Sequence, residues 1–194
     1  GSSGGPHLHF EVRDTESEEV LDPIEYFKEK ITDTRAPKIQ GILICPQQGK
    51  GVVNGSSRKL ELKPVTAKNG KQTITGKIEA WGEIGLAVKA YDYMDNTTNI
   101  YGVKDITLRQ DSQIIYHSNL DRFAFDETRY LNSYVDYEEW KDRRTFYMRS
   151  FVEPGNRLRF NESVNRGIIH IGEEKTYHLT YTLSDAFGNT TRLS

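Results

Sequence analysis

The stretch that decides the fold is an alternating apolar run ending in a polar corner, Leu86-Ala87-Val88-Lys89-Ala90-Tyr91-Asp92-Tyr93-Met94-Asp95-Asn96-Thr97-Thr98. Alternation with a period of two residues predicts a β-strand. Asp and Asn at the end of the run favour a tight turn. The same corner recurs after a second alternating run, as Asp185-Ala186-Phe187-Gly188-Asn189-Thr190-Thr191. We therefore expect two equivalent strand ends.

Most of the remaining chain also has the pattern of short strands, separated by Gly, Asn and Asp turns. This pattern favours an antiparallel β-sandwich over a doubly wound sheet. The candidate strands are residues 38–45, 58–64, 72–79, 84–92, 103–109, 113–116, 146–151, 167–171 and 175–183. Two arrangements fit the repeated corner: two similar domains in tandem, or two corners of one sandwich. We expect one sandwich with a long insertion.

The insertion is predicted near residues 127–144. Apolar residues there recur at spacings of three and four, which predicts a helix or helical turns packed on the sandwich. They are Tyr130, Leu131, Tyr134, Tyr137 and Trp140. Together with Phe146, Tyr147 and Phe151, these side chains would bury the apolar face of a helix. The alternative is an aromatic surface that stacks on sugar rings or a partner.

Composition limits the classes of function. The 194 residues carry a net charge of −2, which provides no polycationic field for nucleic acid. No apolar run reaches the length of a transmembrane helix. The one cysteine, Cys45, excludes an intrachain disulfide, and its apolar surroundings predict a buried, unreactive thiol.

Two histidines near the start of the sequence form a possible site, within Ser3-Gly4-Gly5-Pro6-His7-Leu8-His9-Phe10-Glu11-Val12-Arg13. In a strand, the period of two would place both imidazoles on one face, which suits a divalent metal or proton transfer. The alternative is a half-exposed strand that carries two histidines by chance, because short motifs match often.

This stretch closely resembles the last signature of the lysostaphin-type zinc endopeptidases, which cut peptide bridges in bacterial peptidoglycan. Leu21-Asp22-Pro23-Ile24-Glu25-Tyr26-Phe27 also looks like the way those peptidase domains close. The resemblance implies that His9 is a zinc ligand and that His7 assists catalysis as a general base or hydrogen-bond donor. Zinc of this kind activates a bound water and polarises the amide carbonyl. For Glu11 we expect a supporting rather than a ligating role.

The rest of that zinc site is missing from the sequence. The resembled family supplies a histidine and an aspartate from an H-x-x-x-D motif upstream of this strand, and only six residues precede His7. The H-x-x-x-D at His117 and Asp121 lies downstream, and we interpret it as chance. His170 and His178 are interpreted as histidines of a sheet surface. We therefore expect no hydrolysis by this chain alone.

The two Asp/Asn corners have a second interpretation. Clustered oxygen ligands are what calcium prefers, but each corner offers few carboxylates. Turn chemistry is the interpretation that we favour for them.

We predict three parts: residues 1–27, the last strand and helix of an incomplete peptidase domain; residues 28–37, a linker; and residues 38–194, an immunoglobulin-like β-sandwich. The immunoglobulin-like expectation comes from Asp33-Thr34-Arg35-Ala36-Pro37-Lys38-Ile39, which is similar to the way many bacterial modules of that kind begin. The fold class is thus mainly β.

The expected function is that of the C-terminal part of a zinc metalloendopeptidase acting on peptidoglycan peptides. Its compartment would be the bacterial periplasm or cell surface, and a cell-envelope protein is a possible partner. Two alternatives stay open. One is a non-catalytic envelope scaffold with a degenerate peptidase domain. The other is a purely structural module, whose opening strand would be disordered or paired with some other edge.

Overall fold

The computed structural model describes residue 5 and residues 8–194, and the strand pairs in this part of the chain are antiparallel. The strands are β1 (Val12–Arg13), β2 (Val20–Leu21), β3 (Lys38–Val53), β4 (Leu60–Leu62), β5 (Val65–Thr66), β6 (Gln72–Thr73), β7 (Ala80–Tyr91), β8 (Asp105–Gln110), β9 (Gln113–Asn119), β10 (Arg122–Phe123), β11 (Met148–Arg149), β12 (Asn161–Ser163), β13 (Ile169–Ile171), β14 (Leu179–Ser184) and β15 (Thr190–Leu193). The α-helices are α1 (Leu131–Tyr134) and α2 (Tyr137–Arg143). Short 3-10 turns occupy Pro23–Tyr26, Lys28–Lys30, Phe125–Tyr130 and Asn165–Gly167.

Two five-stranded sheets form the body of the protein. The first has the order β11-β7-β3-β4, with β13 also paired to β7, and the second has the order β12-β9-β8-β14-β15. One hydrophobic cluster contains residues from both sheets, including Ile42, Val88, Leu108 and Leu183. The two sheets therefore share one core, as in a β-sandwich.

The central part of the first sheet is buried on both faces. Alternation along β3 sends Ile42 and Ile44 to the core between the sheets, and Leu43 and Cys45 to the opposite face. There Leu43 and Cys45 cluster with residues that follow α2, among them Tyr147. This double burial explains why residues 42–45 are continuously apolar instead of alternating.

The insertion that covers this face begins with the 3-10 turn Phe125–Tyr130 and continues through α1 and α2. The Asp136 side chain caps α2 by accepting a hydrogen bond from the Glu139 amide at 3.3 Å. Arg144 ends the helix in the left-handed conformation, with φ of 53°. Both capping residues are adjacent to the helix in sequence. The two ends of α2 are therefore determined locally, in addition to the packing of the helix.

The N-terminal segment pairs with the sandwich through a small third sheet of order β1-β2-β10. Val20 and Leu21 of β2 lie opposite Phe123 and Arg122 of β10. Next to this pairing, Glu19 is buried and contacts Arg159 at 2.6 Å. Residues 12–21 are therefore held against an edge that belongs to the sandwich part of the chain.

The predicted fold class, a mainly β antiparallel sandwich with a helical insertion, is confirmed. The immunoglobulin-like topology stays a prediction, as do the domain boundaries. None of the helices in the described part of the chain is long and apolar enough to span a membrane.

Several predicted elements differ in extent from the structure. Of the predicted strand at residues 72–79, only Gln72–Thr73 is a strand, because Gly76 with φ of 97° breaks the extended run. Of the predicted strand around His7 and His9, the described residues form a ladder only at Val12–Arg13. Within the described part of the chain, residues 8–11 pair with no neighbouring strand, and an extended segment becomes a strand only through such a partner. The helix predicted after Asp22 is a 3-10 turn, although Asp22 caps it as expected.

Candidate functional site

The predicted zinc ligand His9 lies on the surface, with its side chain 73% exposed. Its Nε2 atom is 3.8 Å from Oε2 of Glu11. Arg13 donates a hydrogen bond of 2.7 Å to Glu11, and this bond holds the pKa of Glu11 below its usual value. His7, the predicted catalytic residue, lies outside the described residues.

The described residues do not form a complete zinc site. No group of three potential ligands among them includes His9, and the group that does converge consists of carboxylates alone. Zinc sites in proteins prefer nitrogen and sulfur ligands. The described residues therefore do not by themselves hold a zinc ion for catalysis.

The remaining histidines with described side chains do not extend the site. His117 of β9 contacts Oδ2 of Asp105 at 2.6 Å, whereas Asp121 lies 3.7 Å from Arg122. His117 and Asp121 thus have different partners, which agrees with a chance H-x-x-x-D match. His170 is exposed on β13, as expected for a histidine of a sheet surface, whereas His178 is exposed just before β14 and outside the strand.

A second arrangement of ionisable groups joins both strand-end corners. Asp92 directly follows β7, Asp185 directly follows β14, and Asp33 precedes β3. One carboxylate oxygen of each lies within 4.8 Å of those of the other two. The three residues are only 6–7% exposed. Because β7 and β14 belong to opposite sheets, this aspartate cluster lies where the two sheets end together.

The Asp185 corner is organised by its own hydrogen bonds. Its Oδ1 atom accepts from the amides of Phe187 at 2.8 Å and of Asn189 at 2.9 Å. Its Oδ2 atom accepts from Nδ2 of Asn189 at 2.7 Å, and the same amide nitrogen donates to the Asp33 carbonyl at 3.1 Å. This is the turn chemistry that the Asp-x-x-Gly-Asn pattern predicts, and it places Asp185 beside Asp33.

The other two members of the aspartate cluster are less completely bonded. Oδ1 of Asp33 accepts from the Arg35 amide at 3.1 Å. Oδ2 of Asp33 and Oδ1 of Asp92 are buried and accept no hydrogen bond within the described chain. Buried carboxylate oxygens without a partner are uncommon in folded proteins, because their desolvation is not offset.

The electrostatics of the aspartate cluster follow from burial and from like charge. Burial raises the pKa of Asp92 to about 6, and the charges of Asp185 and Asp33 act in the same direction. The Tyr93 amide and the Arg35 guanidinium oppose the increase. Three carboxylates that share a buried site thus hold more negative charge than their surroundings compensate.

Sequence reasoning identified Asp92 and Asp185 as corners but did not connect Asp33 with them. The repeated position of an aspartate directly after an alternating strand was the available signal. Asp33 has no such pattern, and its place in the aspartate cluster depends on how the segment before β3 crosses the end of the sandwich.

The aromatic residues of the insertion serve packing for the most part. Tyr134, Tyr147 and Phe151 are buried, and Tyr134 packs edge-on against Phe160 with ring centroids 5.3 Å apart. Tyr137, next to Trp140, and Phe146 are instead about half exposed, so the predicted burial does not extend to them. Cys45 is buried as predicted, and burial raises the pKa of its thiol to about 12.

Comparison with known proteins gave no match: no family model, no curated protein and no solved structure matches the chain. The resemblance at the first 27 residues therefore rests on the residues themselves.

Proposed function

We propose that this chain is the C-terminal part of a bacterial zinc metalloendopeptidase that hydrolyses peptide bonds in peptidoglycan. One observation carries the proposal: residues 3–13 and residues 21–27 resemble, in order, the last signature and the closing tail of lysostaphin-type peptidase domains. The β-sandwich would then be an accessory module that positions the enzyme or binds the wall or an envelope protein. The compartment would be the periplasm or the cell surface.

The exposure of the N-terminal segment supports this proposal. Leu8 is 92% exposed and Phe10 is 60% exposed. Phe10 also lines an open apolar groove with Pro23, Ile24, Phe27 and Ile31. Large apolar side chains that lie together on a surface usually mark a face that another domain or protein covers. The remainder of a peptidase domain would cover this apolar groove.

The proposed roles within the chain are limited to two residues. His9 would supply one metal ligand and His7 would handle a proton, with the other ligands provided by parts of the protein outside this chain. The imidazole of His9 is accessible for such a role, since its only described charged neighbour is Glu11. We expect the 194 residues alone to be inactive.

The test compares wild-type full-length protein with the variant His9→Ala. We expect wild type to bind zinc and to cleave purified peptidoglycan. His9→Ala should lose about 100-fold or more in activity, because even changes outside the ligand set cost 10–100-fold. Zinc content is measured by elemental analysis, and cleavage by release of soluble peptides.

His170→Ala is the matched control, since His170 is an exposed histidine of β13. It should retain zinc and activity. Activity that survives His9→Ala would contradict the assigned role. Wild-type protein that binds no zinc and cleaves nothing would instead favour a non-catalytic envelope scaffold.

A further inference from the structure

We propose that Asp33, Asp92 and Asp185 form a calcium site at one end of the sandwich. The converging side-chain ligands of this group are carboxylates, with no histidine or cysteine among them. Hard oxygen ligands select hard cations. The site involves neither His9 nor His7, so it stands independently of the peptidase proposal.

The two unpartnered oxygens are the second observation that points to a cation. Oδ2 of Asp33 and Oδ1 of Asp92 are buried without a hydrogen-bond donor in the described chain. An unsatisfied buried acceptor destabilises the folded state, and more so when it carries charge. A cation placed among the three carboxylates would compensate both oxygens and the mutual repulsion of the aspartate cluster.

The hydrogen bonds around the site leave these oxygens available. The Asn189 amide orients Asp185 and the Asp33 backbone, and the Arg35 amide binds the opposite oxygen of Asp33. The Arg35 guanidinium is directed to the Met94 carbonyl at 3.1 Å and forms no ion pair with the aspartate cluster. The Arg35 charge therefore offsets only part of the negative charge of the aspartate cluster.

Calcium fits this place better than magnesium does. The three aspartates come from three separate segments, namely the predicted linker and the ends of two strands. Calcium accepts irregular geometry with six to eight oxygens, whereas magnesium requires a nearly ideal octahedron and retains several waters. The ligands that the side chains do not supply would be water and backbone carbonyls.

Binding would have a structural consequence. Asp33 lies in the predicted linker, and Thr34 is already attached to the Asp92 corner by two hydrogen bonds to Oδ2 of Asp95, at 3.1 and 2.9 Å. A calcium ion would join the linker to the ends of both sheets at one point. It would therefore stiffen the connection between the N-terminal segment and the sandwich.

The experiment measures calcium binding and thermal unfolding of the 194-residue chain after treatment with a chelator. We expect one calcium ion to bind in titration calorimetry. Saturation at about a hundredfold excess over Kd should raise Tm by about 5–10 °C, given the usual linkage relation and the size of the chain. Magnesium and zinc at the same concentration should raise Tm less.

Asp92→Asn gives the discriminating result. Without calcium, this variant should be at least as stable as wild type, because one of three repelling carboxylates is neutralised. With calcium, its Tm should fall below that of wild type, and its affinity should drop about tenfold or more. If these aspartates served packing alone, calcium would not reverse the order of stability of the two proteins. Asp185→Asn should also lose calcium affinity.

Asp95→Asn is the control within the same corner, because the asparagine oxygen can still accept both hydrogen bonds from Thr34 while the negative charge is removed. Asp95 is outside the aspartate cluster and bonds only to Thr34 among the hydrogen bonds of the described chain. Its calcium affinity should stay within about threefold of wild type, because a more exposed charge is screened. The proposal is overturned if calcium leaves the wild-type Tm unchanged, if Asp92→Asn responds as wild type does, or if magnesium or zinc binds more tightly.

Discussion

Asp136 is a carboxylate with no solvent exposure, and two cations hold it at the start of α2. Lys59 contacts it at 2.8 Å and Arg149 at 3.1 Å. Burial by itself would raise the pKa of Asp136, but the hydrogen bond from Lys59 and the charge of Arg149 outweigh burial and lower it. This residue thus joins the insertion to β11 and to the segment before β4.

Asp136→Ala should lower the free energy of unfolding by about 3–5 kcal/mol, because it leaves two largely buried cations without their partner. Chemical denaturation monitored by circular dichroism measures the loss. Glu138→Ala is the control, since Glu138 contacts the same Lys59 at 2.6 Å but is 74% exposed. It should cost less than about 1 kcal/mol. Equal losses in the two variants would contradict the importance of burial.

At the scale of elements, β7 is the central strand of the first sheet and contacts both hydrophobic clusters. It pairs with β3, β11 and β13, and it has apolar neighbours on both faces. Gly85 lies where the ring of Phe151 packs directly on β7. A Cβ atom added at Gly85 would be 2.5 Å from that ring. A glycine at this position allows Phe151 to pack directly on the strand.

Gly85→Ala should therefore destabilise the protein by about 1–3 kcal/mol, the usual range for overpacking a core. Gly102→Ala provides the comparison, since a Cβ atom there would meet no atom within 4 Å. It should change stability by less than about 0.5 kcal/mol. Urea denaturation of both variants measures the difference. If Gly85→Ala leaves the stability unchanged, Phe151 packs more loosely on β7 than the structure indicates.

At the scale of the whole molecule, the second hydrophobic cluster joins the segment after α2 to the first sheet. Cys45 lies in this cluster with Leu43, Ala87 and Tyr147, and it is 4% exposed. We expect its thiol to become accessible when the segment after α2 separates from the first sheet. Cys45 therefore reports whether that segment and the sandwich unfold together.

We expect thiol labelling of Cys45 to follow global unfolding. A disulfide reagent should react with the native protein slowly, because the thiol is buried and its raised pKa disfavours the reactive thiolate. Labelling across a urea series should coincide with the transition seen by circular dichroism. Fast labelling below that transition would show instead that the segment after α2 opens on its own.

The sequence by itself determined the features that depend on near neighbours along the chain. Alternation identified the strand around Val88, a continuous apolar run identified the strand around Ile42, and the three- and four-residue spacing of Tyr130 to Trp140 identified the helical insertion. The Asp-Pro start at Asp22 and the turn at Asp185 also followed from local chemistry. These predictions agree with the structure because each pattern reflects the conformation that a few neighbouring residues prefer.

The tertiary structure alone decided which distant residues meet. Asp33, Asp92 and Asp185 belong to three separated segments, and Lys59 is far from Asp136 in sequence. No local pattern encodes such neighbours, because they depend on how the sheets pack and where the segments between them cross. Packing also determined that residues 42–45 of β3 are buried on both faces and that Phe10 lies on the surface. The aspartate cluster, where we propose a calcium site, is therefore a product of the tertiary structure. The sequence identified the corners at Asp92 and Asp185 separately, but not their proximity to each other or to Asp33.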